Sequence, residues 1–504
     1  MSNDIAEEPM SAQLFQTMNH PILPSRFAML VLVAHLFLAG GCMTVGPDYR
    51  APDRSAPTNW TAELDTGLTP AAVSPETMSR WWTVLNDPIL SGFMEQARTN
   101  NLDVRQAEAR LRQARAQRGA AKAGLFPTIG ASASASRTQS SEISGDRTTS
   151  SLFENGLDAS WELDLFGKNR RTVEAADATL QASQEDVNHT LVSLFAEVAL
   201  NYVEVREYQL RVSLTESSLV ARTETYDITR WRREVGLTTQ LDEEQARMSL
   251  EQARADIPAL KTSLAESQHR LAVLLGQTPG ALNEILAESR PIPVPPPEMT
   301  VGVPADVLRQ RPDIRSAERK LAAQTAQIGV AKAAQYPNFT LLGSIGLESL
   351  TLDNLYSSGA RTAQAAANGV WTLFDFGRIR RNIELQTALQ EETLGAYEAA
   401  VLTALEDVEN ALVAYANEQV RRQSLFEAAQ AGQAAFDLAR DQYSSGLVDF
   451  QTVLDMQRSL LTVQDQLAVS DGKITSSLIR LYKALGGGWT PVSSNTPEPH
   501  PSGE

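Results

Sequence analysis

The chain has 504 residues, a mass of 54.9 kDa and a formal net charge of −17 at pH 7. This acidic charge argues against nucleic acid as the main partner, because the phosphate backbone is also negative. Hydrophobic residues make up 42% of the chain and aromatic residues only 6%, and long stretches dominated by Ala, Gln, Glu, Arg and Leu are typical of long helices.

The first predicted element is a secretory signal over residues 1–41. Arg26 precedes an apolar run from Phe27 to Leu38, and small residues separate that run from Cys42, the only cysteine of the chain. The run is too short for a comfortable membrane span, so the pattern predicts an exported protein. It resembles a bacterial lipoprotein signal, in which the cysteine receives S-diacylglycerol and an N-acyl group. The alternative is an ordinary signal peptide with an incidental cysteine.

Downstream of the signal, two copies of one pattern follow each other at a constant offset in the numbering. "WELDLFGKNRR" at 161–171 returns as "WTLFDFGRIRR" at 371–381, and the register holds as far as Gly276 and Gly486. A proline-rich stretch, "RPIPVPPPEMTVGVP", lies between the copies, as expected of a linker. Two copies of one structural unit therefore make up most of the mature chain.

Each copy is predicted to contain a helix, a β-hairpin, a very long helix and a returning helix. Apolar residues at every second position, beginning with Ile129 in the first copy, predict hairpins at about 128–163 and 338–373. Strands with one apolar and one polar face are typical of a membrane barrel wall, although a soluble sandwich has the same pattern. Apolar residues spaced 4-3-4-3 then predict long helices over about 168–235 and 378–445.

The repeated phrase marks the point where each hairpin meets its long helix. A glycine there allows a sharp change of backbone direction. The basic residues that follow are expected to pair with water and lipid headgroups at the membrane rim. Ordinary strand–helix junctions with solvated charges are the alternative. A tryptophan near a strand end suits a membrane–water interface, so the predicted barrel–tunnel junction consists of Trp161, Phe166, Gly167, Trp371, Phe376 and Gly377.

The far ends of the long helices are predicted to turn sharply. Glycine favours the left-handed conformation that ends a helix, and a following threonine caps the next one. The two predicted helical tips contain Gly236, Leu237, Thr238, Gly446 and Leu447.

The number of strands limits the assembly. Two hairpins supply four strands, which cannot close a barrel, and open sheet edges are not tolerated in lipid. A barrel must therefore be shared between chains. Eight, twelve or sixteen strands would need two, three or four subunits, and the strand pattern leaves this choice open.

Six motifs in a fixed order carry a family resemblance: "CMTVGPDYRAP", "LRQRPDIRSAERKL", "AKAAQYPNFTL", "FDFGRIRR", "YSSGLVDFQTVLDMQ" and "LYKALGGGW". Through them the chain, from about Cys42 to Trp489, resembles the TolC-like outer-membrane channels of tripartite efflux pumps, in the NodT- or OprM-like lipoprotein branch. The resemblance implies an α+β membrane protein. Three chains would form a twelve-stranded outer-membrane β-barrel, continued by a twelve-helix periplasmic tunnel.

The resemblance also implies partners and a domain order. The protein would be lipid-anchored in the outer membrane, and its tips would contact a periplasmic adaptor and an inner-membrane pump of the resistance–nodulation–division (RND) type. The chain then divides into a signal peptide (1–41), an N-terminal lipidated segment with the start of an equatorial region (42–102), the first repeat (103–276), a proline-rich linker (277–312), the second repeat (313–486) and a flexible tail (487–504).

In this family, links among Tyr, Arg and Asp close the periplasmic end of the tunnel. The resemblance carries this role to Tyr443 before the second tip and to Asp455, which matches one position of an aspartate ring. Thr452 occupies the other ring position, and Asp449 lies beside it. Asp242 matches an aspartate that partners the gate, but "TQLD" also reads as a helix cap, in which Asp242 lies three residues after a threonine.

Three classes of function are compatible with an exported chain of this kind. The first is a passive exit duct for small molecules delivered by a pump and an adaptor. The second is an exported coiled-coil lipoprotein scaffold or adaptor without a barrel, which would not need alternating strands in both copies. The third is an enzyme, but the chain has no phosphate-binding loop, dinucleotide fingerprint or nucleophile elbow. The sequence therefore predicts an exit duct, with no cofactor, no metal site and no nucleic-acid partner.

Overall fold

The computed structural model describes residues 44–52, 57, 59–62, 68–70, 74–144, 148–295, 299–301 and 304–489. The signal peptide, Cys42 and most of the C-terminal tail lie outside the described residues. Helices within these ranges are α1 Pro75–Ser79, α2 Pro88–Asn100, α3 Leu102–Ala123, α4 Lys168–Glu234, α5 Gln240–Leu274, α6 Pro304–Gln310, α7 Pro312–Ala333, α8 Arg378–Ser444 and α9 Phe450–Ala484. Strands are β1 Leu68–Pro70, β2 Thr128–Gln139, β3 Thr149–Leu163, β4 Met299–Val301, β5 Asn338–Ser349 and β6 Arg361–Val370.

The two repeats have the same order of elements. The first contains α3, β2, β3, α4 and α5, and the second contains α7, β5, β6, α8 and α9. This confirms the predicted order of helix, hairpin, long helix and returning helix. One small sheet was not predicted from the sequence: β1 and β4 pair in parallel, with Leu68 opposite Met299.

The long helices α4 and α8 each contain 67 residues. At about 1.5 Å per residue, each extends on the order of 100 Å. Their apolar seams are buried where the predicted spacing places them: Val198, Tyr202 and Val408 have no exposed surface, and Leu412 is 1% exposed. None of the described helices combines the length and the apolar character needed to span a membrane.

The main core lies midway along the long helices. There α4, α8 and α9 meet α2 and the end of α5, around residues such as Phe93, Phe195, Leu271 and Leu478. The ring of Trp81, just before α2, stacks on Tyr482 of α9 at 5.3 Å. Full burial of one such apolar side chain contributes about 1.5–3 kcal/mol. This core therefore fixes the two repeats against each other.

In each repeat, the residue just before the first helix forms a hydrogen bond with the end of the returning helix. Asn101 Nδ2 donates to the carbonyl oxygen of Leu274 at 2.9 Å, at the end of α5. Arg311 Nη1, at the equivalent position of the second repeat, donates to the carbonyl oxygen of Ala484 at 3.0 Å, at the end of α9. Each side chain satisfies a helix C-terminal carbonyl that would otherwise lack a partner. The internal repeat is thus a repeat of contacts as well as of elements.

The hairpins form one antiparallel sheet in the order β2-β3-β5-β6. Along it most of the apolar residues share one face, on which Leu157 of β3 lies opposite both Ala131 and Ile345. Arg137 and Arg361 lie on the same face, at strand ends far from the junctions. That face is bare in the single chain, with Ile129 73% exposed and Ile345 62% exposed. Among the described strands, β2 and β6 each pair on one side only. The chain therefore presents an amphipathic sheet with two open edges.

Glu207 is a buried carboxyl group in the contact between α4 and α9. A Cβ on Gly472 of α9 would collide with its carboxylate. Arg211 Nη1 lies 3.6 Å from Glu207 Oε1, while Arg211 Nε donates to Asp465 at 2.7 Å. Burial raises the pKa of Glu207 to about 7, with Arg211 opposing the rise and Glu204 and Asp465 adding to it. Folding therefore favours the protonated form of Glu207.

Glu207→Gln is expected to stabilise the protein at pH 8 but not at pH 4.5. Because the folded pKa of about 7 exceeds the unfolded value of 4.5, the stabilising effect of the proton is complete below pH 4.5 and is lost as the pH rises through 7. A neutral amide removes this loss, which is roughly 3 kcal/mol per chain for a pKa of about 7 in place of 4.5. Thermal unfolding at both pH values measures the effect, with Glu224→Gln, an exposed carboxylate on the same helix, as the control. An equal gain at the two pH values would contradict the argument.

Candidate functional site at the membrane junction and the helical tips

The junction glycines begin the two long helices. Gly167 has φ +81° and Gly377 has φ +86°, a left-handed conformation that favours glycine, and they occupy the N-cap positions of α4 and α8. Glycine has no side chain to cap a helix, so nearby aspartates supply the acceptors. Asp164 accepts from the backbone N–H groups of Asn169 and Arg170, at 3.0 and 2.8 Å.

Asp375 has the same function in the second repeat. Its carboxylate accepts from the backbone N–H of Gly377 at 3.0 Å and of Ile379 at 2.9 Å. Sequence analysis missed both aspartates, although an aspartate just before a helix start is a recognised capping signal. With the constant offset between the repeats, the equivalent of Asp164 is residue 374, one position before Asp375. Aligning the two copies therefore does not bring the two aspartates together.

The junction tryptophans tie each strand end to the helix before its hairpin. Trp161 Nε1 donates to the carbonyl oxygen of Leu125 at 3.0 Å, and Trp371 Nε1 donates to that of Gln335 at 3.0 Å. The two tryptophans remain 39% and 56% exposed. A satisfied N–H beside an exposed ring suits a membrane–water interface. In the single chain β6 ends at Val370, so Trp371 lies just after the strand.

The basic residues of the two junctions have different surroundings. Lys168 pairs with Glu162 at 3.1 Å, and Arg171 is only 3% exposed, with Glu174 at 2.7 Å. Arg171 therefore does not face water or headgroups, contrary to the expectation from sequence. In the second repeat, the side chains of Arg380 and Arg381 are 81% and 79% exposed. The second junction therefore presents both arginines openly, whereas at the first junction Lys168 is exposed and Arg171 is buried.

An N-terminal strap (residues 44–50) explains the burial of Arg171. Arg171 Nε donates to the carbonyl oxygen of Val45 at 3.2 Å, and its Nη2 binds Asp48 at 2.7 Å. Val45 N donates to the carbonyl oxygen of Phe166 at 3.1 Å. Where the strap crosses α7, a Cβ on Gly46 would lie 2.5 Å from Gly329 Cα, so the two backbones touch. The strap thus holds residues 44–50 at the first junction.

The two helical tips are built on left-handed glycines. Gly236 has φ +75° and Gly446 has φ +73°, directly after the last turns of α4 and α8. Leu237 is 71% exposed and Leu447 is 76% exposed. Thr238 lies beside them and donates from Oγ1 to Asp242 at 2.7 Å. Each tip therefore presents one bare leucine on a tight turn.

Three of the predicted gate residues take part in helix caps in this structure. Asp242 forms a capping box with Thr239, whose Oγ1 accepts from Asp242 N at 3.2 Å. Burial alone would raise the pKa of Asp242, but hydrogen bonds from Thr238 and Thr239 outweigh it and lower the pKa. Asp449 accepts from Thr452 N at 2.9 Å and from Thr452 Oγ1 at 2.6 Å, and these bonds lower the pKa of Asp449.

Tyr443 and Asp455 have quite different positions. Asp455 is exposed on α9 and accepts from Gln451 Nε2 at 2.8 Å. The Tyr443 hydroxyl is buried and has no hydrogen-bond partner within the described part of the chain. Its ring instead packs on Phe450, with the ring centroids 5.5 Å apart. In one chain, the structure therefore does not bring Asp455, Asp242 and the Tyr443 hydroxyl together.

Arg232 makes the contact that sequence analysis missed at the tips. Its guanidinium carbon lies 4.4 Å from the centre of the Tyr443 ring, and its Nη1 donates to the Tyr443 carbonyl oxygen at 3.1 Å. The contact links the last turn of α4 to the last turn of α8, 211 residues apart. A cation over an aromatic ring contributes about 0.5–1 kcal/mol at exposed sites and more when desolvated. No motif marks Arg232, because its partner belongs to the other repeat.

The polar face of the sheet has a uniform charge. The charged residues on this face of β2, β3, β5 and β6 are all carboxylates: Glu154, Asp158, Glu162 and Glu348. Two of them bind serines of β2, with Ser134 Oγ 2.8 Å from Glu154 and Ser132 Oγ 2.7 Å from Asp158. Among the described residues, no group of histidine, cysteine and acidic side chains could hold a metal ion.

Comparison with known proteins shows which family has this sequence and fold. The chain matches the family model for "Outer membrane efflux protein" over residues 93–277 and 303–487. It is 32% identical over 469 residues to Nodulation protein T of Rhizobium leguminosarum bv. trifolii, covering 93% of this chain and 99% of that protein. It is 30% identical over 470 residues to the toluene efflux pump outer membrane protein TtgF of Pseudomonas putida, with coverages of 90% and 95%.

A solved structure agrees with these matches. The outer-membrane channel OprN superposes with a TM-score of 0.84 at 35% identity, covering 89% of this chain and 100% of that channel. The two segments of the family match are separated by the same offset as the internal repeat, at both their starts and their ends. The predicted resemblance, fold class and outer-membrane location are confirmed, and the family is one of channels rather than enzymes. This chain belongs to the outer membrane efflux protein family.

Proposed function

We propose that three copies of this chain form the outer-membrane exit duct of a tripartite efflux system, which passively exports small molecules. One observation carries the proposal: a four-stranded sheet, apolar on one face and acidic on the other, has two open edges and continues at Gly167 and Gly377 into helices of 67 residues. Three such sheets supply twelve strands, enough for a closed barrel around a water-filled lumen.

The energy and the substrate would come from partners. A periplasmic adaptor and an inner-membrane pump of the RND type are the partners that we propose. The bare leucines Leu237 and Leu447 at the helical tips support contact with the adaptor, because an exposed leucine on a tight turn is a suitable apolar anchor. The chain has no phosphate-binding loop, so the proposed duct would not drive transport by itself.

An exported coiled-coil scaffold without a barrel is the alternative. Such a protein would have no reason to keep an apolar sheet face bare, with Ile129 and Ile345 both mostly exposed. Burying these side chains in lipid is favourable, whereas exposing them to the periplasm is costly. The sheet therefore favours the duct.

Purified protein reconstituted into planar lipid bilayers tests the duct against the scaffold. We expect discrete conductance steps that favour cations, because the charged residues on the polar face of the sheet are carboxylates. Neutralising Glu154 and Asp158 as amides should reduce the preference for cations without abolishing conductance. Protein that assembles and inserts but produces no conductance steps, even after the tip contact described next is removed, would exclude a duct.

We propose that Arg232 and Tyr443 hold the periplasmic end closed. Arg232→Met keeps the length of the side chain but removes both the cation and the donor to the Tyr443 carbonyl, so α4 and α8 lose this polar contact at the tips. Resting conductance in bilayer recordings should rise severalfold. Tyr443→Phe is the matched control: it keeps the ring and the carbonyl, so it should raise conductance only if the hydroxyl binds a neighbouring chain. Unchanged conductance in Arg232→Met would refute the latch.

The same recordings test Asp455, for which we expect a different effect from that of Arg232→Met. If three Asp455 carboxylates surround the lumen, Asp455→Ala should reduce cation selectivity and block by multivalent cations while leaving resting conductance unchanged. The proposed ring carries less charge than one with two aspartates, because Thr452 replaces the second. An Asp455→Ala channel with unaltered selectivity would show that Asp455 only binds Gln451 on the helix surface.

We also propose that Cys42 is lipidated. The strap supports this, because it places Thr44 against Gly167 at the junction, two residues after Cys42. Mass spectrometry of the mature N-terminus should find a diacylglyceryl and N-acyl cysteine, and an unmodified cysteine or cleavage elsewhere would exclude it. Cys42→Ser protein should still assemble, because the barrel would remain as the second membrane anchor.

A further inference from the structure

The two repeats of one chain meet in the sheet at a single seam, where β3 pairs with β5. Phe153 lies opposite Ser349, Leu157 opposite Ile345, and Leu163 opposite Phe339. The numbers of the paired residues add up to 502 along the whole ladder. This internal seam joins the last strand of one repeat to the first strand of the next.

Two side-chain contacts at the junction end of the strands accompany the internal seam. The ring of Phe166 stacks on that of Tyr336, with centroids 4.7 Å apart and planes 19° apart. Arg171 of α4 lies across Gly329 of α7, where a Cβ on the glycine would be 2.8 Å from Arg171 Cγ. The stacking of Phe166 on Tyr336 and the packing of Arg171 on Gly329 thus fix the register of this seam at the junction end of the strands.

The same residue types recur at the repeat-equivalent positions, on the two open sides of the chain. The equivalents of Phe166 and Tyr336 are Phe376 and Phe126, which are 92% and 69% exposed. Those of Arg171 and Gly329 are Arg381 and Gly119.

These equivalents are not in contact with each other in the single chain. No atom of the described chain lies within 4 Å of a Cβ placed on Gly119. Arg381 binds Glu384 at 2.6 Å, just as Arg171 binds Glu174 at 2.7 Å. One half of each contact is therefore present on each open side.

We propose that the seam between two copies of this chain repeats the internal seam, residue for residue. β6 of one chain would pair antiparallel with β2 of the next, again with residue numbers that add up to 502, so that Ala367 lies opposite Ala135. Phe376 would stack on Phe126 of the partner subunit, and Arg381 would lie across Gly119 of the partner subunit. This inference rests on the proposed assembly of several chains into one barrel and adds its register.

Physical constraints exclude the neighbouring registers. Unpaired backbone groups in lipid cost several kcal/mol each, so both edges must pair. A slip of one residue would turn the serines of β2 towards lipid, because side chains alternate between faces. A slip of two residues preserves the faces but moves the junction contacts apart by about 7 Å. Only the unshifted register joins both junction contacts at once.

The length of β6 supports the same conclusion. β3 continues to Leu163, because its last three residues pair with β5. The equivalent residue is Leu373, yet β6 ends at Val370, and Leu373 is 76% exposed. In the proposed seam, residues 371–373 would face residues 129–131 of β2 in the next chain. Pairing between copies would thus extend β6 to match the end of β3.

Not every contact of the internal seam is carried over. The ion pair of Arg315 with Glu185, 2.6 Å long, corresponds to Arg105 and Gly395, which cannot form one. Within the described residues, no second strap binds Arg381 as residues 44–50 bind Arg171. The seam between copies therefore depends on strand pairing and the junction contacts, with fewer ionic bonds.

Disulfide crosslinking of the full-length protein tests the register. In the double variant Ala135→Cys with Ala367→Cys, mild oxidation should give a covalent trimer on a non-reducing denaturing gel, because Cα atoms of facing residues lie within about 5.5 Å. The shifted pair Ala133→Cys with Ala367→Cys has the same composition, but its Cα atoms would be about 7 Å or more apart, and it should crosslink far less. Each variant with only one introduced cysteine is a control for crosslinks that involve Cys42.

The outcomes separate this inference from the proposed function. If the wild type is a trimer by light scattering but the shifted pair crosslinks better, the register is wrong and the duct remains. If the wild type is a monomer, both fail. Arg137→Cys with Ala365→Cys provides a second facing pair in case the first double variant does not assemble. Trimers that crosslink through neither facing pair overturn the inference.

Discussion

The constraint on which the rest of this structure depends is that a sheet edge in lipid must find a partner. Water is absent there, so every N–H and C=O group has to be paired by protein. One chain joins its four strands through three internal ladders and leaves β2 and β6 open on their outer sides. The amphipathic faces place the sheet in a membrane, and the open edges then require further copies. Assembly in this account follows from backbone hydrogen bonding more than from any specific side chain.

The second requirement is a rigid connection between the sheet and the long helices. Gly167 and Gly377 turn the backbone, while Asp164 and Asp375 satisfy the first N–H groups that glycine cannot cap. At the first junction the N-terminal strap also buries Arg171, whereas the second junction has its arginines exposed. This asymmetry follows from the repeat itself, because a chain with two junctions has only one N-terminus.

Much of the fold could be predicted from the sequence, because it is local and repeated. Alternation in the strands, the 4-3-4-3 spacing in α4 and α8, and the constant offset between the two copies predict the elements and their order. Gly236 and Gly446 signal the tips for the same reason. The Arg232–Tyr443 contact could not be predicted, because its partners lie in different repeats and no motif marks Arg232, although the family motif marks Tyr443. The packing of Gly46 on Gly329 is equally invisible in the sequence.

The candidate site is less evident from the sequence, for a related reason. Asp242 and Asp449 were assigned to a gate through family resemblance, but in the chain their carboxylates are engaged by the turns beside them. The capping alternative for Asp242 rested on spacing alone and is the arrangement that the structure has. Local hydrogen bonding therefore governs the tips of a single chain. The gate roles of Asp242, Asp449 and Asp455 need other copies and stay predictions.

The central claim is that the four-stranded sheet is one third of a closed barrel. The number of chains in a detergent-extracted particle, measured as its protein mass by native mass spectrometry, tests it most directly. The account predicts three copies, with no stable particle of one or two chains that retains the sheet. A homogeneous single-chain particle that keeps its full β-sheet content would contradict it, because four strands with two open edges cannot close.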